Sequence, residues 1–223
     1  ASFATLEPVH AAAVVDLWAE RTEALLDRPE IEYVLVFENN GSDVGATILH
    51  PHGQIYAFPF VPPLPAREAD VAARFGCPVC EELDAGDEQE ARAVSRSDGF
   101  TTYARYAAGW PFELLIAPTS HVPDLAALDP TGRADFADAL ADALTRYRHV
   151  LDEPLPYMFW IHQGVHLHLH LVTTRRLAGT TRYVAAGELG SGTMFNPVLP
   201  EEAAALLRGV ARFRSVEPHL SHG

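Results

Sequence analysis

Cysteine is nearly absent, with two among 223 residues, Cys77 and Cys80. Two cysteines do not make a disulfide framework, and the Cys-x₂-Cys spacing suits metal or redox chemistry in a reducing compartment. Long apolar runs are also missing. None approaches the ~18 residues of a membrane helix, and no basic stretch precedes an apolar core at the N-terminus as in a secretory leader. These absences predict a cytoplasmic protein without membrane partners. Basic residues are scarce, 16 Lys and Arg against 30 Asp and Glu, for a formal net charge of -14. Such a surface repels nucleic acid. A small phosphorylated substrate needs only a few local donors and is not excluded.

What remains is ordinary globular composition, 48% hydrophobic and 21% charged, enough for one large domain or two small ones. Histidine is the exception, with eleven. His50 and His52 form one group and His162, His166, His168 and His170 another.

The order of predicted elements occurs twice. Val14, Val15, Trp18, Ala24 and Leu25 recur at helical spacing over 9–27. Ile31, Tyr33, Leu35 and Phe37 then alternate with Glu32, Val34, Val36 and Glu38 as a strand, a turn cluster follows at 39–43, and a second strand covers about 52–60. Later, Asp129-Pro130 caps a helix that runs to about 151 through Phe136, Leu140, Leu144 and Tyr147. Strands are predicted at 157–162 and 166–173, joined by Gln163-Gly164. The second copy is preceded by a metal knuckle at 77–83 and strands near 91–96, 100–106 and 112–117, for which the first copy has no counterpart. The expectation is that an upstream half-unit is missing; two unequal helix-and-strand units are the plainer alternative.

Residues i, i+2 and i+4 of a strand share a face. His50, His52 and Gln54 therefore project together, as do His166, His168 and His170. A solvated polar face is the bland account of either triplet; two triplets at matching places in a repeat favour chemistry. An imidazole has a pKa near ~6.5 and is largely nucleophilic at neutral pH. Attack on phosphorus gives a phosphoramidate and divides one displacement into two. Gln54 can donate to a non-bridging oxygen as charge redistributes. It cannot activate water as an acid or base, so group transfer is favoured over hydrolysis.

Phe37-Glu38-Asn39-Asn40-Gly41, Gly45 and His50-Pro51-His52-Gly53-Gln54-Ile55-Tyr56-Ala57 resemble the signature of galactose-1-phosphate uridylyltransferases, within the histidine-triad superfamily. Trp110-Pro111-Phe112-Glu113, Pro118 with His121, and His168-x-His170 resemble that family's C-terminal half. The resemblance covers essentially the whole chain, which corresponds to about the last two thirds of a family member. It implies an α+β fold of two repeated histidine-triad-like units of antiparallel sheet with helices, the first incomplete at its N-terminus. Residues 1–65 would be the C-terminal part of the first unit and 66–223 the second.

The resemblance also implies roles. His52 would be the uridylylated nucleophile and Gln54 its phosphoryl-oxygen donor. Asn39, Gly45, Ala46 and Thr47 would contact the UDP portion, with Thr47 where a serine is more usual. Tyr183, Val184 and Glu188 match a second nucleotide-contacting segment, with Tyr183 where many members have lysine. The implied reaction exchanges UMP between UDP-glucose and galactose 1-phosphate, in galactose metabolism, by a ping-pong route without an organic cofactor and in a homodimer. His50 matches a zinc ligand whose partners lie upstream of Ala1.

Two further metal sets follow. Cys77, Cys80, His121 and His166 are the repeat-related Cys₂His₂ set, suited to zinc. Glu68, His162, His168 and His170 match a family site for iron or zinc. Taken alone, Glu68 also reads as a surface helix carboxylate. The sets share no residue; if only one is filled, ligand affinity favours the one with cysteines. With no open ligand position, such a metal would be structural. A redox role for the cysteine pair would place it at a helix N-terminus. Two other readings compete: a nucleotide hydrolase with His168 as nucleophile, because His166-Leu-His168-Leu-His170 matches the histidine-triad pattern, and a non-catalytic metal-binding fragment.

Overall fold

Proline at the first helical turn opens both long helices, where its missing N–H has no helical partner to lose. In a computed structural model, which describes residues 3–46 and 52–210, helix α1 spans Pro8–Leu26 and helix α5 spans Pro130–Leu151. Asp129 caps α5, its carboxylate accepting from the Gly132 amide at 2.7 Å. The buried stripe of α1 is Ala11, Val15, Trp18, Ala19 and Thr22. Ala24, expected inside, is exposed. Ala137 and Ala143 are fully buried on α5, and small residues on both partners let the two helices pack closely.

The strands are β1 (Tyr33–Asn40), β2 (Gly53–Phe58), β3 (Ala93–Arg96), β4 (Phe100–Ala104), β5 (Leu114–Pro118), β6 (Tyr157–His162) and β7 (His168–Thr173). They form one antiparallel sheet in the order β2-β1-β6-β7-β5-β4-β3. Strands β8 (Arg175–Leu177) and β9 (Thr180–Thr181) pair separately, as a short ribbon. The other helices are α2 (Pro63–Phe75), α3 (Pro78–Leu83), α4 (Asp87–Arg92), α6 (Ala186–Ser191) and α7 (Pro200–Arg208). The fold is mixed helix and antiparallel sheet, with the predicted repeat at its centre: β1 and β6 pair antiparallel, and α1 packs on α5.

The expected strands are right in place and differ at their ends. The first runs on through Asn40, because Asn39 and Asn40 pair with Met158 and Tyr157. Residues 91 and 92 end α4 instead of starting β3. The last strand begins at His168, not His166; Leu167 spends its amide on the Val122 carbonyl, 2.7 Å away. Among the described residues, no helix is long and apolar enough to cross a membrane.

One face of the sheet is the core. Leu114, Ile116, Tyr157, Phe159, Ile161, Leu169 and Leu171 pack there with α1, α5 and α7. On β1 the inward side is Val36 and Glu38, not the more apolar Leu35 and Phe37 side. Glu38 is accommodated because the Tyr157 hydroxyl donates to it at 2.6 Å. Tyr147 of α5 is fully buried, its hydroxyl placed on the carbonyls of Phe112 and Leu171. It pins a loop in which Phe112 holds φ at 56°, a left-handed conformation unfavourable for a bulky residue. Tyr147→Phe should therefore cost about 1–3 kcal/mol, the penalty of an unsatisfied buried carbonyl. Urea denaturation checks this.

Candidate functional site

Strand alternation decides which side chains meet. A Cβ on Gly53 would approach Trp18 of α1, at 3.8 Å from its ring nitrogen, so Gly53 faces the core side. His52 and Gln54 therefore face the other way. On β7, Leu169 and Leu171 are in the core, which turns His168 and His170 to that same open face. Trp160 and His162 join them from β6, by alternation with Phe159 and Ile161.

The pairing registers superpose the two units. Phe37 lies opposite Gln54 and Trp160 opposite His170. His162 pairs with His168, and one step beyond the Glu38–Gly53 pair Asn39 comes opposite His52. Because Phe37 also pairs with Trp160, a pseudo-two-fold axis passes between those residues. Three positions thus correspond: Asn39, His52 and Gln54 in the first unit, His162, His168 and His170 in the second. One set carries two amides and one imidazole, the other three imidazoles.

The second unit brings both predicted metal sets together. One ligand atom from each of Cys77, Cys80, His121 and His166 lies within 4.8 Å of the others, and the same holds for Glu68, His162, His168 and His170. Cys77 caps α3, with Pro78 next, and the Cys80 amide donates to Cys77 Sγ at 3.5 Å. That is the helix N-terminus a redox pair would favour. However, His166 Nδ1 is 3.4 Å from both sulfurs and His121 Nδ1 is 3.3 Å from Cys80 Sγ. A thiolate pair closed by two imidazoles is a zinc-type donor set, so this cluster could hold a metal. Burial, then the neighbouring Cys77 sulfur, pushes the Cys80 thiol up to about 11; a cation is what would bring both sulfurs to the thiolate form.

Hydrogen bonds fix the histidine tautomers. His166 Nε2 donates to the Pro118 carbonyl at 3.1 Å, which leaves Nδ1 to face the sulfurs. His168 Nδ1 donates to the His166 carbonyl at 2.7 Å, which leaves Nε2 toward Glu68 Oε1 at 3.8 Å. Glu68 Oε1 is 2.9 Å from His162 Nδ1. His170 Nε2 is buried with no hydrogen-bond partner. An orphaned imidazole nitrogen facing three other donors fits a metal ligand, so the residues of the Glu68 set also suit an ion.

Burial, reinforced by the charge His170 would carry, pushes His168 down to about 3, and burial likewise lowers His170 well below the ordinary range. Unfolded, both titrate near ~6.5. The unfolded chain therefore binds more protons below that pH. Their stability contribution is complete above about 6.5 and, for His168, is lost progressively as pH falls toward about 3. At ~1.4 kcal/mol per pH unit for each neutral buried histidine, metal-free protein should be roughly 2–3 kcal/mol less stable at pH 5.5 than at 7.5. Urea midpoints at the two values provide the check.

Placement of the remaining expected residues is mixed. Asn39 is partly buried on β1, Gly45 has φ 81° in the turn after it, and the Ala46 amide closes that turn on the Gly41 carbonyl. His50 and Thr47 lie outside the described residues. Tyr183 is 83% exposed, and Val184 is partly buried. Glu188 is turned inward, accepting from Ala185 and Phe195 amides at 2.8 and 2.9 Å and pairing with Arg182. That segment rests on the β4–β5 loop, where Arg182 lies 4.6 Å over Trp110 and Asn196 donates to its carbonyl. Just before Tyr183, the Arg182 amide donates to the Thr174 carbonyl, and Thr181 accepts from Arg175, which also pairs with Asp43 in the turn after β1.

Sequence reasoning gave no role to two residues of this face. Trp160 stacks on His170, with centroids 4.8 Å apart and planes at 13°. Glu113 is buried beside His170 of the Glu68 set. The signal for Glu113 was there: a lone carboxylate between Phe112 and Leu114, in a run otherwise apolar.

This is a sheet that presents paired histidine strands on one face, one pair with amides and the other with metal-type ligands. The chain belongs to the galactose-1-phosphate uridylyltransferase family. Residues 1–62 match the family model described as galactose-1-phosphate uridyl transferase, N-terminal domain. A galactose-1-phosphate uridylyltransferase of Thermotoga maritima is 33% identical over 210 residues, covering 87% of this chain and 65% of that protein. The chain thus spans slightly less than two thirds of the length of that curated relative. A solved uridylyltransferase superposes with a TM-score of 0.87 at 27% identity, over 93% of this chain and 69% of its own. An Arabidopsis thaliana ADP-glucose phosphorylase solved with ADP-glucose gives 0.82 at 25%, over 95% and 70%.

Proposed function

We propose that the chain transfers a nucleotidyl group through His52, with UDP-glucose as donor and galactose 1-phosphate as acceptor. The observation that carries this is the register equivalence of the two units. His52 occupies the place of His168, but Asn39 and Gln54 stand where His162 and His170 complete a metal set. Amides are poor ligands for zinc or iron beside imidazoles, so the first-unit imidazole is left for phosphorus. In the first step a ring nitrogen of His52 attacks the α-phosphorus. The bond to the bridging oxygen breaks, and glucose 1-phosphate leaves. In the second, a phosphate oxygen of galactose 1-phosphate attacks the same phosphorus, the P–N bond breaks, and UDP-galactose forms. Gln54 donates to a non-bridging oxygen in both steps. Asn39, Gly45, Ala46 and Thr47 hold the nucleotide.

Both metal sets act as cross-links that hold the second unit together; a bound zinc or iron supplies rigidity. His168 is a poor nucleophile in this arrangement, because one nitrogen is committed to the His166 carbonyl and the other faces Glu68. That speaks against the hydrolase reading. Tyr183 and Val184 would contact the nucleotide, in a protein that works as a homodimer. The similarity to an ADP-glucose phosphorylase makes ADP-glucose the competing donor.

The test is to incubate the protein with UDP-glucose or ADP-glucose, quench in base and measure intact mass, then map the adduct. UMP on His52 is the expected result. AMP on His52 would move the donor to ADP-glucose, and label on His168 would overturn the assignment of the nucleophile. If neither donor leaves label, the metal-binding fragment is the better description.

A further inference from the structure

The Trp110-Pro111-Phe112-Glu113 loop carries a carboxylate that no step of the transfer uses. Glu113 is 4% exposed just before β5, and its ion pair with Arg105 is long, at 3.9 Å. One oxygen, Oε2, accepts from the Gly109 and Trp110 amides at 2.7 and 3.2 Å. The other, Oε1, lies 3.3 Å from His170 Nδ1. His170 is boxed between this carboxylate and the Trp160 ring, and its Nε2 is the buried nitrogen without a partner.

We propose that Glu113 is the positioning residue of the Glu68–His162–His168–His170 metal set: it holds the His170 proton on Nδ1 and so aims the Nε2 lone pair at the ion. A carboxylate behind a ligating histidine sets both tautomer and ring orientation. The loop amides orient the carboxylate in turn, and Tyr147 fixes the strained Phe112 between them. The inference rests on the reading that this set holds metal.

Glu113→Gln is the informative change, because it keeps shape and alters proton demand. An amide has one acceptor oxygen. With that oxygen on the Gly109 and Trp110 amides, the side-chain NH₂ points at His170 Nδ1. His170 must then accept there and carry its proton on Nε2, which removes the metal lone pair. Affinity at this set should fall about 10–100-fold, read by chelator competition with zinc, while the Cys77–Cys80–His121–His166 set keeps its affinity. Histidine ¹⁵N NMR of the metal-free proteins should show the His170 proton on Nδ1 in wild type and on Nε2 in the variant.

A wild-type protein with the proton on Nε2, or a Glu113→Gln protein with wild-type zinc affinity at this set, overturns the proposal. The wild-type NMR result stands even where the variant does not fold. Wild type that binds no zinc at the Glu68 set would sink the metal reading itself, a result distinguishable from metal bound with the wrong tautomer.

Discussion

Stripping metal with a chelator should open residues 63–83 before the rest of the protein responds. The reason is how little else holds them. Helix α2 buries only Pro65, and it exposes Leu64 and Phe75 at 63% and 74%. Its Glu68 meets His162 and His168 on the sheet. Helix α3 buries Val79 in a small apolar cluster with Tyr103, Leu115 and Ala117, and otherwise relies on Cys77 and Cys80 against His121 and His166. Each set thus takes one limb from the α2–α3 segment and the others from the sheet or the loops that end it. An ion present at about 1,000 times its dissociation constant stabilises the form that binds it by ~4 kcal/mol. Removing it should lower thermal stability by that order. Hydrogen exchange should rise first in 63–83, while α5, buried along nine of its residues, keeps its protection. Cys80→Ala should reproduce the opening. Equal loss of protection in α5, or no change in 63–83, would show that the metals do not clamp this segment.

The long periodic elements were legible from sequence because their signals are redundant. Asp129-Pro130 and the apolar spacing of Phe136, Leu140 and Leu144 agree on α5, and the structure places its limits at 130 and 151. Both metal sets could also be assembled on paper, the cysteine set from the repeat and the Glu68 set from the family resemblance. The failures have physical causes. On α1, alanines at 11 and 19 are buried, and hydropathy gives an alanine that packs closely no more weight than one in water. On β1, the inward side includes Glu38, a choice that depends on the Tyr157 hydroxyl 119 positions away. The sequence puts His166 both with the cysteines and on one strand face with His168 and His170; only the first holds, because the ladder begins at His168. The tautomers depend on the carbonyls of Pro118 and His166, and no residue-type pattern reports where a backbone oxygen will lie.

His52→Ala should abolish the base-stable nucleotide adduct and reduce sugar-phosphate exchange by at least ~10⁴-fold, on the scale of losing a covalent nucleophile. Gln54→Ala should behave differently. It leaves the imidazole in place and removes one donor to the non-bridging oxygen, a loss of about 10²–10³-fold in kcat, with the adduct still forming slowly. The distinction follows from the sheet. Gln54 lies on the open face of β2 opposite Phe37, and His52, one residue before the strand, faces the same way, away from the core, so neither substitution leaves a cavity under α1. His52 is partly buried, and the nearby Glu38 carboxylate is committed to Tyr157 on the opposite face. The fold therefore survives both changes while the chemistry does not, and far-UV circular dichroism with single-turnover labelling separates the two. Full exchange activity in His52→Ala would show that His52 carries no nucleotide. Equal losses in both variants would mean that Gln54 holds the imidazole in place and does not act on the phosphoryl oxygen.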